Sequence, residues 1–224
     1  MKFINIILLL SIFVLARTAY AEVTLNTEKE KLSYSMGVFF GQTVTRQNID
    51  VDNAAFLQAV EDVLNGAETQ LDMVEMQRLL SAYQQKEQEE RTLAAEDNRQ
   101  AGEDYLTENK NKDGVVTLES GLQYKVIEAG SGNSPTADSN VVVHYRGTLI
   151  DGTEFDSSYG RGEPAELGVN RVIKGWQEAL QLMKVGSKWQ IVVPAELGYG
   201  TRGAGDVIGP NSTLLFDIEL IEIK

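Results

Sequence analysis

The sequence contains no cysteine and only one histidine, His144. Without thiols the chain has no disulfide framework, no thiolate nucleophile and no zinc-thiolate site. A single histidine also excludes a metal site built from several histidines, and a Ser-His-Asp triad would have to use His144. Basic residues are in the minority, at 20 against 33 acidic ones, and the net charge is −13. That charge disfavours nucleic acid and anionic lipid as partners, because both would be repelled.

The apolar run near the N-terminus is too short for a membrane-spanning helix. It extends from Phe3 to Leu15, whereas a spanning helix needs about 20 residues. Lys2 precedes the run, and Ala19 and Ala21 supply the small side chains of a cleavage site. Residues 1–21 are therefore predicted to be a secretory signal, with an uncleaved anchor as the alternative. Export to the periplasm, the outer membrane or the cell surface follows, and a chain without thiols suits an oxidising compartment.

Residues 22–83 have the spacing of three short amphipathic helices. Asp52 is suited to cap the N-terminus of the second helix, and Asn65-Gly66 would end that helix. Asp72 is suited to cap the third helix, with Glu75 as its capping-box partner. Apolar residues recur every three or four positions, which places them on one side of each helix. These stripes are Leu32, Met36, Phe39 and Phe40; Phe56, Val60, Val63 and Leu64; and Met76, Leu79, Leu80 and Tyr83.

Three helices of this length bury too little surface to form an independent core. The aromatic and methionine side chains within residues 22–83 are typical of an intertwined dimer interface. We therefore predict a helical dimerisation domain here and a homodimer. Packing of the same stripes against the rest of the chain is the alternative that the sequence leaves open.

Residues 84–113 contain strong helix formers, no proline and few apolar side chains. A helix that is polar on nearly all sides usually bridges two domains through solvent. Lys86 and Glu90 are spaced to form an ion pair along such a helix. A connecting helix is predicted, with a disordered charged linker as the alternative. Gly102 predicts a local kink or break.

From residue 114 to residue 224 the apolar spacing shifts towards two, which is typical of strands. Turn signals separate several of the strands, and one helix, from about Lys174 to Met183, interrupts them. The fold class is therefore α+β, with an antiparallel sheet folded over a single helix. The predicted strands are Val115 to Thr117, Leu122 to Glu128, Asn140 to Leu149, Lys188 to Val193 and Thr213 to Ile223.

Alternation along two strands directs aromatic side chains towards the single helix. Tyr145 shares its strand face with Val141 and Val143, and Phe216 belongs to the apolar face of the last strand. Together with Trp176 of the helix, they predict an apolar pocket with almost no nucleophile or metal ligand in it. The alternative interpretation is that these aromatic residues simply fill the core.

The motifs VHYRGTL, DGTEFDSS, VIKGW, VGSKWQIVVPAELGYG and NSTLLFDIEL stand in this order between Gly121 and Lys224. In order and spacing they resemble the FK506-binding (FKBP) family of peptidyl-prolyl cis/trans isomerases. The preceding signal and helices, with the phrase KLSYSMGVFFG, resemble the macrophage infectivity potentiator subgroup of secreted bacterial FKBPs. The resemblance implies a twisted antiparallel sheet wrapped round one helix. It implies rotation about X-Pro bonds in exported or unfolded proteins, and the subgroup implies a virulence-associated role.

The resemblance also assigns roles to residues. Asp156 would lie beside the rotating amide, tied to Tyr145 or Arg161, and the Tyr199 hydroxyl and the Ile173 backbone N–H would bind substrate carbonyls. The catalytic set is Asp156, Tyr199, Tyr145 and Phe155. The substrate-binding set is Trp176 as the pocket floor with Val172, Ile173, Phe216, Arg161, Ile208, Ala165 and Leu167.

Amide rotation makes and breaks no bond, so no cofactor and no metal are expected. The partners that the resemblance implies are proline-containing polypeptides and a macrolide of the FK506 or rapamycin type. Several residues depart from the family pattern, namely Ala165, Leu167, Lys174, Ala204 and Gly209, and they alter the pocket wall and the loop of residues 201–210. His144 is assigned a structural role, because alternation directs it away from Tyr145. A chaperone or surface-interaction protein with weak isomerase activity is the alternative function.

Overall fold

The computed structural model describes residues 23–46 and 49–224. The predicted signal at residues 1–21 lies outside these described residues. The chain divides into two compact units between Leu57 and Gln58. Among the residues described, no helix combines the length and the apolar character that crossing a bilayer requires.

The first unit contains helix α1, Glu28–Arg46, and the start of helix α2, Asn53–Asn65. The predicted cap of α2 is present, since the Asp52 carboxylate accepts a hydrogen bond of 2.8 Å from the Ala55 N–H. The rings of Phe40 and Phe56 stack with their centroids 5.7 Å apart. The four residues of the predicted α1 stripe are nevertheless more than half exposed: Leu32, Met36, Phe39 and Phe40.

Helix α3, Met73–Asn109, begins in the helical region and includes most of the polar segment. Asp72 caps it by accepting from the Glu75 N–H at 2.8 Å. The Glu75 carboxylate binds Arg78, so the reciprocal half of the predicted capping box is replaced by an ion pair. The predicted Lys86–Glu90 pair is formed at 3.6 Å. Because the helix continues through Gly102, the predicted break there and the disordered-linker alternative are both wrong.

The predicted α+β architecture is confirmed by a seven-stranded antiparallel sheet in the second unit. Its strand order is β1-β2-β6-β7-β3-β4, and β5 pairs with β3. The alternation that predicts strands also predicts their faces: Val141, Val143 and Tyr145 are all buried. The strands are β1 Val115–Thr117, β2 Gln123–Glu128, β3 Asn140–Leu149, β4 Glu154–Ser157, β5 Ala165–Gly168, β6 Lys188–Val193 and β7 Leu214–Ile223.

Helix α5, Lys174–Leu182, supplies Trp176, Ala179 and Leu180 to the core formed with the sheet. Three shorter elements were not predicted, namely β4, β5 and the four-residue helix α4, Ser158–Arg161. Strand β4 forms a hairpin with the end of β3, and β5 pairs with the start of β3. Four-residue elements of this kind carry too few positions for a period to be recognised.

The C-terminal half of α3 packs against the sheet unit. The Gln123 side chain donates to the Leu106 carbonyl at 2.8 Å and accepts from the Asn109 amide at 2.9 Å. The less exposed positions of the helix form one stripe with helical spacing. Solvent bridging is therefore the wrong interpretation for this half of the helix. In the C-terminal half these positions are Ala95, Asn98, Gly102, Tyr105, Leu106 and Asn109.

Candidate functional site

A cavity of about 480 Å³ lies at the inner face of the sheet beside the N-terminus of α5. Apolar and aromatic side chains dominate its lining, as in most sites that receive an organic group. The lining residues are Tyr145, Phe155, Asp156, Leu167, Arg171, Val172, Ile173, Trp176, Tyr199, Ala204, Gly205, Ile208 and Phe216.

Four aromatic rings fix the shape of this cavity. Trp176 lies edge-to-face with Tyr145 and with Phe216, each at a centroid distance of 5.2 Å. Phe155 meets Phe216 in the same way at 5.5 Å. Edge-to-face pairs contribute about 0.5–1.5 kcal/mol each beyond the burial of their area. The indole N–H of Trp176 is buried without an acceptor among the described residues, and the two edge contacts offset the cost of that unpaired donor, about 1–3 kcal/mol.

Asp156 is the centre of a polar cluster at the wall of the cavity. Its carboxylate accepts a hydrogen bond of 2.5 Å from the Tyr145 hydroxyl and one of 2.6 Å from the Arg161 guanidinium. Arg161 also donates to the Tyr145 oxygen at 2.9 Å. The sequence predicts one of these contacts to Asp156, and the structure has both. The three side chains come from β4, β3 and α4.

These contacts fix the protonation states of Asp156 and Tyr145. Burial would raise the pKa of Asp156, but the hydrogen bonds from Tyr145 and Arg161 outweigh it and hold the pKa below its ordinary 3.8. Burial, together with the hydrogen bond to Asp156, raises the pKa of Tyr145 above its ordinary 10.0. Asp156 is therefore a carboxylate and Tyr145 a neutral phenol throughout the neutral pH range.

The loop of residues 200–212 forms one wall of the cavity, and we call it the tip loop. Tyr199 immediately precedes it and is 41% exposed, so its hydroxyl is accessible to a bound chain. Within the loop, Ala204 and Ile208 exchange backbone hydrogen bonds of 2.8 and 3.2 Å. Across the cavity, Ile173 precedes the first turn of α5, where backbone N–H groups are available to an acceptor.

All but two of the predicted site residues line the cavity. Arg161 is outside the lining and acts on it through Asp156 and Tyr145. Ala165 is paired with Val143 between β5 and β3 and is not among the residues that line the cavity, so its place in the site stays a prediction. Sequence reasoning missed Arg171 and Gly205 as lining residues, and it noted Ala204 only as a departure. Arg171 could have been found from its place next to Val172 and Ile173.

His144 is held on the other side of β3. Its Nδ1 lies 3.0 Å from the Ser158 hydroxyl, and its ring stacks on Tyr159 with centroids 4.7 Å apart. The same Ser158 hydroxyl accepts from the Tyr145 N–H at 2.8 Å. These contacts anchor α4 to β3, which supports the structural role predicted for His144.

A second cavity, of about 240 Å³, lies between the end of α3 and the outer face of the sheet. Its lining includes Asn109 and Gln123, whose side chains are already hydrogen bonded to each other, and it has no aromatic box of the kind around Trp176. The described residues also hold no cluster of three His, Cys, Asp or Glu side chains suited to a metal ion. The Trp176 cavity is therefore the candidate site.

Two family models together match most of the chain. Residues 132–221 match the model described as FKBP-type peptidyl-prolyl cis-trans isomerase. Residues 29–126 match the model described as the domain amino terminal to FKBP-type peptidyl-prolyl isomerase. The site residues lie in the first match, and helices α1, α2 and α3 lie almost entirely in the second.

Individual proteins match over nearly the full length. The peptidyl-prolyl cis-trans isomerase Mip of Coxiella burnetii is 47% identical, and the match covers 94% of this chain and 93% of that protein. The outer membrane protein MIP of Legionella longbeachae is 45% identical, with 93% and 91% covered. The crystal structure of FkpA from Escherichia coli matches with a TM-score of 0.63 at 36% identity, covering 90% of this chain and 99% of that one.

Proposed function

Because the chain belongs to the FKBP-type peptidyl-prolyl cis-trans isomerases, we propose that the Trp176 cavity is its catalytic site. The protein is an enzyme that catalyses rotation about X-Pro bonds. The observation that supports this location is the aromatic box of Tyr145, Phe155, Trp176 and Phe216 with the Asp156 carboxylate at its wall. A proline ring fits such a box, and the box contains no nucleophile because the reaction needs none.

The reaction is limited by amide resonance, whose rotation barrier is ~18–20 kcal/mol. The planar amide is charge-separated, so transfer from water into an apolar cavity disfavours it relative to the twisted form. Groups that hold the flanking chain in the twisted geometry lower the barrier further, because they bind the transition state better than the ground state. Each ~1.4 kcal/mol of such preference gives a tenfold faster rotation.

The residues around the cavity are suited to these tasks. Trp176 forms the floor under the proline ring, and the Tyr199 hydroxyl and the Ile173 N–H hold substrate carbonyls on either side. Asp156 lies beside the rotating amide, where its charge, fixed by Tyr145 and Arg161, favours the twisted geometry. The Arg161 contact keeps Asp156 ionised and oriented.

Catalysis is expected to be independent of pH between about pH 6 and pH 9. No proton moves in the reaction, Asp156 loses its proton below pH 3.8, and Tyr145 keeps its proton beyond pH 10.0. The measured quantity is kcat/KM for a tetrapeptide with a central Leu-Pro bond between pH 6 and pH 9. A protease-free fluorescence assay or an NMR exchange assay provides it.

His144→Gln is the matched variant for this test, since it changes the one imidazole without touching the cavity. It should keep kcat/KM within about twofold of wild type. A tenfold change across the pH range that disappears in His144→Gln would assign His144 a role as acid or base. Wild-type protein that does not accelerate isomerisation at any pH would refute the proposed function itself.

We also propose that the protein is exported and acts as a homodimer. Export is supported by the signal-like residues 1–21 and by the name of the Legionella relative, outer membrane protein MIP. Dimerisation is supported by the exposed apolar stripe of α1, where Met36 and Phe39 are 65% and 69% exposed. Apolar side chains concentrated on one helix face mark an interaction surface, and a second copy of the same helix is the occupant we propose.

The double substitution Met36→Glu/Phe39→Glu in the full-length chain is expected to convert the dimer into a monomer, because it places charges in an apolar interface. Sedimentation equilibrium measures the mass directly. Thr45→Glu is the control, since Thr45 is exposed and points to the opposite side of α1. A monomeric wild type, or a dimer that survives the double substitution, would contradict this interface.

A further inference from the structure

Helix α3 lies along the base of the tip loop, and polar side chains join the two. The Asn98 amide donates to the Pro210 carbonyl at 2.9 Å and lies 3.5 Å from the Ser212 hydroxyl. In the opposite direction, the Asn211 amide donates to the Ala95 carbonyl of the helix at 3.1 Å. Arg91, one turn earlier, donates to the Arg202 carbonyl at 2.8 Å.

The backbone conformation of Asn211 directs its side-chain amide towards α3. Asn211 has φ +56°, the left-handed conformation that asparagine tolerates better than most residues. This conformation directs its side chain to α3 while its backbone N–H donates to the Gly200 carbonyl at 2.9 Å. The same residue therefore closes the base of the loop and attaches it to the helix.

Close packing accompanies the hydrogen bonds. A Cβ at Gly209 would lie 2.9 Å from the Asn98 amide nitrogen, and one at Gly102 would meet the buried Thr213 hydroxyl. Glycine at position 102 therefore lets the helix and the loop approach this closely, whereas the Asn98 amide, at the end of a flexible side chain, can yield to a Cβ at position 209. The contact is tight over three turns of α3, from Arg91 to Gly102.

The tip loop forms a wall of the candidate catalytic site. Ala204, Gly205 and Ile208 line the cavity, and Tyr199 immediately precedes the loop. Gly200, which accepts the hydrogen bond from Asn211, is the residue next to Tyr199. Asn211 is therefore linked through a single residue to Tyr199, the side chain that is proposed to hold a substrate carbonyl.

We propose that Asn98 and Asn211 are positioning residues, which clamp the tip loop to α3 and thereby hold Tyr199 and Ile208 in place for catalysis. This inference rests on the proposed location of the catalytic site. A clamped loop enters the reaction already ordered, so substrate binding does not have to supply that ordering. Because the coupling is reciprocal, substrate in the cavity also holds α3 more firmly against the loop.

The double substitution Asn98→Ala/Asn211→Gly removes both amides, and glycine retains the left-handed conformation at position 211. Loss of these hydrogen bonds is expected to lower kcat/KM of the full-length enzyme roughly three- to tenfold for the Leu-Pro tetrapeptide. The fall should come mainly from a higher KM, since the disordered wall must be ordered on binding. Gln100→Ala is the matched control, because Gln100 is exposed on α3 and bonds to Asp104 of the same helix.

Hydrogen exchange followed by mass spectrometry gives the second readout. In wild type and Gln100→Ala, saturating tetrapeptide should slow exchange in the tip loop and in residues 91–102 of α3. In the double variant the effect on α3 should be lost. Asn98→Ala alone, which leaves Asn211 intact, should give a smaller change in the same direction and serves if the double variant does not fold.

The proposed clamp is refuted if the folded double variant keeps kcat/KM within twofold of wild type. It is also refuted if the tetrapeptide slows hydrogen exchange in α3 of that variant as much as it does in wild type. A wild-type enzyme without catalytic activity would instead overturn the proposed function. An active wild type with an unaffected variant overturns the clamp alone, so the two failures are distinguishable.

Discussion

Substitution of Asp156 by alanine is expected to lower kcat/KM for proline peptides roughly a hundredfold, the usual cost of removing one preorganised charged or polar group from a catalytic site. The carboxylate binds Tyr145 at 2.5 Å and Arg161 at 2.6 Å. Its loss removes the charge beside the rotating amide. It also leaves the Tyr145 hydroxyl and the Arg161 guanidinium without their acceptor at the wall of the cavity, where both are free to reorient.

Asp156→Asn separates the charge from the geometry. An asparagine oxygen still accepts a hydrogen bond from Tyr145 but carries no charge. The fall in kcat/KM of Asp156→Asn should therefore be intermediate, about tenfold. Glu154→Ala is the matched control, since Glu154 lies two residues earlier on β4 in an exposed ion pair with Arg146. Exposed pairs of this kind contribute little. Steady-state kinetics on all three variants, with near-ultraviolet circular dichroism to check folding, decides the matter. Asp156→Ala with more than half of the wild-type activity would remove Asp156 from the mechanism.

The parts of the fold that were predictable are those in which apolar periodicity and tertiary burial coincide. Strand β3 was predicted with its observed ends because Val141, Val143 and Tyr145 alternate with polar residues and are all buried. The ends of α2 followed from local chemistry, since Asp52 and Gly66 act within one turn of the helix. Such signals need no knowledge of the rest of the chain.

The docking of α3 could not be predicted in the same way. Its contact stripe consists of small and amide side chains, such as Ala95, Asn98 and Gly102, so apolar periodicity gives no signal there. Hydrogen bonds to loop carbonyls stabilise the contact, and their partners lie more than 110 residues later in the sequence. A helix whose sequence is polar on nearly all sides can therefore still pack along half of its length against the rest of the chain.

The candidate site was predicted mainly through family resemblance. Nothing in local spacing brings together Tyr145, Asp156 and Arg161, which lie on β3, β4 and α4. Ala165 and Leu167 share one face of β5, yet only Leu167 is among the residues that line the cavity. Which of two residues on one strand face reaches the cavity depends on their positions along the strand relative to the cavity, and only the structure supplies those positions.

Gly147→Ala is expected to damage stability and catalysis together. A Cβ at this position would lie 2.6 Å from the Phe155 ring and 2.8 Å from the Phe216 ring. The backbone cannot retreat, because Gly147 lies between Asp156 of β4 and Phe216 of β7 in the sheet. The rings must therefore move, at a cost of about 1–3 kcal/mol of unfolding free energy. Because Phe216 contacts Trp176 edge-on, the pocket floor is disturbed and kcat/KM should fall at least about tenfold.

Gly160→Ala provides the control, since a Cβ there meets nothing within 4 Å. Urea titration should leave its unfolding free energy within about 0.5 kcal/mol of wild type. Adding Phe155→Leu to Gly147→Ala makes room for the new methyl group, so part of the lost stability should return, and the double-mutant cycle measures that coupling. Activity should stay low in the double variant, because Phe155 is itself part of the aromatic box. Recovery of stability without recovery of activity would separate the packing role of these rings from their catalytic role, whereas an unperturbed Gly147→Ala enzyme would refute the packing that defines the site.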